Sequence, residues 1–124
     1  MTGVLVDTSV WVGHFRSANP VLRALLEKDR VLCHPLVVLE LACGTPPAPR
    51  ERTLGDLGML RQANVATTDE VLSLIEGRRL YDAGCGAVDV ALLASVLLTP
   101  EASLWTADRN LEALARRCGV AFKA

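Results

Sequence analysis

The sequence predicts an α/β fold: a small parallel sheet of four to five strands, covered by helices on both faces. Short, wholly apolar runs such as Val4–Val6 and Val31–Cys33 recur along the chain. They lack the polar alternation of a strand with one wet face, so both of their faces are buried. Helical patterns with their own start and stop residues separate them, as crossovers between parallel strands require.

Val4–Val6 is the first strand. Thr8 or Ser9 can cap a short helix through Phe15. Asn19-Pro20 pairs a capping side chain with a proline suited to the first helical position, opening a helix to about Lys28 with Val21, Leu22, Leu25 and Leu26 inward. Val31–Cys33 is the second strand, and Pro35 opens a helix over Leu36–Cys43 that Gly44 closes. "GTPPAP" (44–49) is a stiff connector. Residues 50–63 read as a helix with Leu54, Leu57 and either Met59 or Leu60 on one face, weakened by Gly55 and Gly58. Val65 is the candidate for a third strand. Thr67 and Glu70 form a capping box for a helix to about Tyr81. "AGCG" (83–86) breaks the pattern before a helix over Ala87–Leu98, which Thr99-Pro100 ends. Ser103–Thr106 is a strand, Asp108–Cys118 a helix stopped by Gly119, and Val120–Phe122 a last strand.

The 124 residues read as a single domain (1–124) able to bury one core. No uninterrupted apolar run reaches the ~18 residues of a membrane span. With 51% hydrophobic residues and a mean hydropathy of +0.31, the surplus apolar surface calls for a protein interface. The helix with Trp11, Val12 and Phe15, and the one after Asp89, are apolar on more than one face. A homodimer and a second protein partner are expected to cover them. Four scattered cysteines with no CxxC pairing fit a reducing cytoplasm, and Cys33, His34 and Cys43 lack zinc-motif spacing. A net charge of −1 does not announce a nucleic-acid binder. Arg78-Arg79 and Arg116-Arg117 read as solvated helix surface.

The informative residues are four acids set in core sequence. Asp7 ends the first strand; Glu40 sits in "PLVVLELACG"; Asp89 opens the apolar "GAVDVALLASVLL"; Asp108 follows the penultimate strand. Each has an ordinary explanation taken alone. Glu40 could be a solvent-facing position, Asp89 a first-turn acid suited to the helix dipole, and Asp108 an N-cap. Together they fall near strand ends and helix starts, where open parallel sheets bind ligands. If the first and penultimate strands are neighbours, Asp7 and Asp108 face one crevice. Converging carboxylates repel unless neutralised, and an oxygen-only donor set selects a hard ion such as Mg2+ or Mn2+. A carboxylate cage of that kind suits phosphodiester hydrolysis.

At these residues the chain resembles a family. "LVDTSVWV", "VLELACG", "GAVDVALLA" and "LWTADRNLEALARRCGV" resemble, in order, the four acidic blocks of PIN-domain ribonucleases, from Val4 to Val120. The length is similar to that of VapC toxins of bacterial type II toxin–antitoxin modules. The resemblance implies a PIN-like fold and a metal pocket of Asp7, Glu40, Asp89 and Asp108, with Asp7 and Asp89 as principal Mg2+ ligands. Ser9 and Thr106 would orient carboxylates through their hydroxyls, and Arg109 is a candidate phosphate contact. Asn110 is read as a first-turn helix residue rather than a polar group of the site. The implied substrate is structured RNA, tRNA or rRNA, and the implied partner a cognate VapB-type antitoxin.

Four other readings compete. Metal-free cleavage through the 2′-hydroxyl would use His14 and His34 as acid and base, but it leaves the acids unexplained. A haloacid-dehalogenase-like phosphatase needs a second Asp where Ser9 stands. A response receiver needs a late phosphate-contacting lysine, and the only late lysine is Lys123, in the tail. A catalytically silent PIN-like regulatory module is the remaining alternative.

Overall fold

A computed structural model describes residues 2–123. The elements run β1 (Gly3–Val6), α1 (Thr8–Arg16), α2 (Pro20–Glu27), β2 (Val31–Cys33), α3 (Pro35–Cys43), α4 (Arg50–Gly58), β3 (Arg61–Gln62), α5 (Thr68–Arg78), α6 (Ala87–Leu97), β4 (Ala102–Trp105) and α7 (Arg109–Arg117). The four strands form one sheet in the order β3-β2-β1-β4, and every pairing is parallel. All four residues of β1 are buried. Successive strand side chains point to opposite faces, so the sheet is covered on both sides at its centre.

The order dictates where a site can form. From β1 the chain steps outward through β2 and β3, then returns to place β4 on the other side of β1. Val6 therefore lies beside Trp105, and the strand order reverses between these two strands, opening a crevice at their carboxyl ends.

Several boundaries differ from the sequence expectation. The helix begun at Arg50 ends at Gly58, not at residue 63, and the third strand is Arg61–Gln62, not Val65. The two glycines weaken the helix, and the edge strand carries no apolar alternation that a sequence could reveal. Val65 is exposed. The expected last strand is reduced to a single bridge, Leu104 with Ala121, supported by backbone bonds from Leu104 N–H to Val120 and from Phe122 N–H to Leu104. The Thr67–Glu70 capping box is formed in full. The all-round apolarity of α6 is consumed inside the molecule. Val90, Leu92, Leu93, Ala94 and Val96 are all buried because α6 packs between α5, α7 and β4. On α1, Trp11 is buried in the core. Val12 on the same helix is exposed, as are Leu39, Met59, Leu72, Tyr81 and Leu98.

Candidate active site

Asp7 follows the last residue of β1 and occupies the N-cap position of α1, displacing the expected Thr8 or Ser9. Its backbone carbonyl accepts from Val10 and Trp11, but its carboxylate caps nothing. That side chain is 4% exposed and its Oδ2 accepts two hydroxyl bonds, from Ser9 Oγ at 2.7 Å and from Thr106 Oγ1 at 2.8 Å. Both hydroxyls are held in turn. Ser9 Oγ accepts from Ala107 N–H at 3.0 Å and Thr106 Oγ1 from Asp108 N–H at 3.0 Å. The α1 start and the β4 end are thus laced together around one carboxylate.

Thr8 Oγ1 donates to Glu40 Oε1 at 2.7 Å, bringing the mid-helix acid of α3 to the same strand ends. This partner was missed in the sequence, because nothing local links residues 32 positions apart. Asp108 does cap α7, through Oδ1 from Leu111 N–H at 2.9 Å, and its side chain remains exposed. Asp89, in the first turn of α6, is half-buried. Its pKa is raised by burial first and then by the charge of Asp7, with smaller contributions from Asp108 and Glu40, against a lowering hydrogen bond from the Gly86 backbone. The four acids therefore share one electrostatic environment. Among the described residues, no basic side chain forms an ion pair with any of them; the Arg116–Glu112 pair lies elsewhere.

A thiol stands beside them that sequence reading did not place there. Cys85 is pushed up to about 11 by burial and by the charges of Asp89 and Asp108. Its loop is pinned where Asn110 Nδ2 donates to the Gly84 carbonyl at 3.4 Å. Gly84 has φ +76°, and a Cβ there would lie 2.5 Å from that amide nitrogen. Asn110 thus holds the loop that leads into α6, more than a first-turn helix position would imply. Arg109 is exposed and forms no ion pair among the described residues.

The two histidines are committed elsewhere. His14 Nδ1 accepts from Asn19 N–H at 2.9 Å, and both ring nitrogens of His34, 1% exposed, are occupied. They cannot serve as a paired acid and base, which removes the 2′-hydroxyl scheme. Cys33 is buried and Cys43 exposed, so the Cys33–His34–Cys43 grouping is no metal site either.

The acids suit a hard divalent cation by donor chemistry: oxygen only, mutually repelling, with two of the carboxylates oriented by neighbouring hydroxyls. Among the described residues no three His, Cys, Asp or Glu groups stand close enough to hold an ion as they are.

Comparison with known proteins places the chain in a family. Residues 4–117 match the PIN domain family. Ribonuclease VapC32 from two strains of Mycobacterium tuberculosis is 49% identical over 119 residues, covering 96% of this chain and 95% of that protein. The crystal structure of PAE2754 from Pyrobaculum aerophilum shares the fold at a TM-score of 0.59 with 19% identity, over 95% of this chain and 90% of that one. The chain belongs to the PIN-domain family and is of the VapC type.

Proposed function

We propose that this protein is a divalent-metal-dependent endoribonuclease, the toxin of a toxin–antitoxin pair, acting on structured RNA such as tRNA or rRNA. The observation that supports this best is the electrostatic coupling of four acids drawn from separate segments, with Asp7 fixed between β1 and β4 and Glu40 tied by Thr8 to the start of α1. Asp89 carries the electrostatic mark of the other three, and the relatives are named ribonucleases.

Asp7 and Asp89 would be the principal ligands of Mg2+, or of Mn2+ in its place, with Glu40 and Asp108 completing the set. The chemistry such an ion supplies when bound is acidification of coordinated water and offset of charge on the phosphodiester. The chain's own part is orientation. Ser9 and Thr106 aim Asp7, Thr8 aims Glu40, and the buried walls of β1 and α6 hold the acids in place. Arg109, exposed beside Asp108, would meet a phosphate oxygen. In-line attack of water on phosphorus expels the 3′ oxygen, leaving a 5′-phosphate and a 3′-hydroxyl.

A VapB-type antitoxin would lie against the cavity of about 420 Å³ beside Glu40, whose lining includes Val12, Phe15, Arg16 and Leu41. A homodimer would cover a second apolar region, the groove between α5 and α6 lined by Leu74, Leu97 and Leu98. The functional test is cleavage of an RNA pool by purified protein. It should proceed with Mg2+ or Mn2+ and stop with EDTA and in Asp7→Asn. Full cleavage in chelator would overturn the carboxylate mechanism. Undiminished toxicity of Asp7→Asn in cells would favour a catalytically silent regulatory module.

A further inference from the structure

Away from the acids, one buried polar pair is built into both helices that carry Glu40 and Asp89. His34 is 1% exposed and Ser95 0%. His34 Nδ1 accepts from Leu36 N–H at 3.0 Å and so caps α3. An accepting ring nitrogen carries no proton, which places the proton of the neutral ring on Nε2, donating to Ser95 Oγ at 3.0 Å. Ser95 Oγ also accepts from Ala66 N–H at 3.1 Å and donates to the Ala91 carbonyl at 2.9 Å. Both side chains are fully used, and their directions are determined.

The pair spans elements that have little else in common. Helix α3 packs along α1 and α4, whereas α6 packs on α5, α7 and β4, and the two share no broad interface. Glu40 follows His34 on α3 and Asp89 precedes Ser95 on α6 by the same number of residues. At 1.5 Å per residue each acid stands ~9 Å along its helix from the junction. Apolar side chains could fill this space and let the helices slide, but a satisfied buried hydrogen bond tolerates one geometry.

We propose that the His34–Ser95 hydrogen bond is the strut that sets the spacing of α3 and α6, making His34 a positioning residue for the Glu40–Asp89 pair. The inference rests on the reading of these acids as metal ligands. His34→Ser keeps a capping hydroxyl on α3 but cannot reach Ser95. His34→Asn also caps, with a smaller void, and carries the same expectation should His34→Ser fold poorly. Ser95→Ala removes the acceptor. Leu22→Ala, on a helix that carries none of the acids, is the control for general loosening of the core.

Mn2+ binding to the intact protein is measured by calorimetry, and RNA cleavage is followed as a function of Mg2+. Each strut variant should weaken Mn2+ binding by about 10-fold or more and lower kcat while leaving the KM for RNA unchanged. The His34→Ser/Ser95→Ala double variant should be no worse than the more affected single. Leu22→Ala should melt lower with Mn2+ affinity intact. Strut variants that bind Mn2+ like the wild type, or single effects that add in the double, would overturn the strut while leaving the acid site standing. Wild-type protein that binds no Mn2+ would overturn the acid reading, and the strut's role with it.

Discussion

Thr106→Val removes one hydroxyl and almost no volume, from a site where both partners are buried. Thr106 is 5% exposed and Asp7 4%. The lost bonds are the 2.8 Å donation to Asp7 Oδ2 and the 3.0 Å acceptance from Asp108 N–H. A hydrogen bond to a charged group contributes about 1.5–3 kcal/mol and a neutral one about 1. The variant should therefore lose about 2–4 kcal/mol, a large share of the ~5–15 kcal/mol a domain has. For a chain of this length ~1 kcal/mol moves Tm by about 4 °C, so the expected drop is ~8–16 °C. Urea and thermal unfolding in EDTA measure it. Asp7 would keep only the Ser9 bond, and loss of such an orienting partner typically lowers metal affinity or activity 10–100-fold, to order of magnitude. Thr106→Ser, which keeps the hydroxyl, should retain most of the activity. A Thr106→Val protein within ~0.5 kcal/mol of wild type that cleaves at the wild-type rate would show that this hydroxyl does not hold Asp7.

Asp89→Asn should raise the metal-free Tm while abolishing cleavage. The folded pKa of Asp89 is raised by burial and by Asp7, so its ionised form opposes folding, and stability falls as pH rises above the ordinary value of 3.8. An Asp89→Asn protein that melts no higher than wild type in EDTA at neutral pH would contradict the crowding of charge. His34 acts in the opposite sense. Burial lowers its folded pKa below 6.5, so the unfolded chain takes up the proton first and stability is lost as pH falls below that value, by up to about 1.4 kcal/mol per pH unit. Denaturant unfolding between neutral pH and pH 5 should show this slope, and an unchanged slope in His34→Asn would assign it to another group. Light scattering should give about twice the 13.3 kDa chain mass. A species of 13.3 kDa at high concentration would rule out the homodimer.

Much of this protein follows from local chemistry and could be read from the sequence. Wholly apolar runs at Val4–Val6 and Val31–Cys33 had to be central parallel strands, because no strand with a wet face can be apolar on both sides. Asn19-Pro20 and the Thr67–Glu70 box announced helix starts because capping is decided within four residues. The acids stood out because a carboxylate in core sequence needs a reason; Ser9 and Thr106 were named beside Asp7 only through the resemblance to PIN-domain ribonucleases, since Thr106 lies 99 residues away. Tertiary structure alone decided which segments meet. Strand order put β4 beside β1 and so joined Asp108 to Asp7, while β3, a polar edge pair with no hydrophobic period, left no trace to read. Thr8 with Glu40 and His34 with Ser95 are hydrogen bonds across 32 and 61 residues. The burial of α6 likewise comes from elements before and after it in the chain. Periodicity and capping act over one or two turns, whereas a hydrogen bond between distant segments exists only once the whole sheet has set their separation.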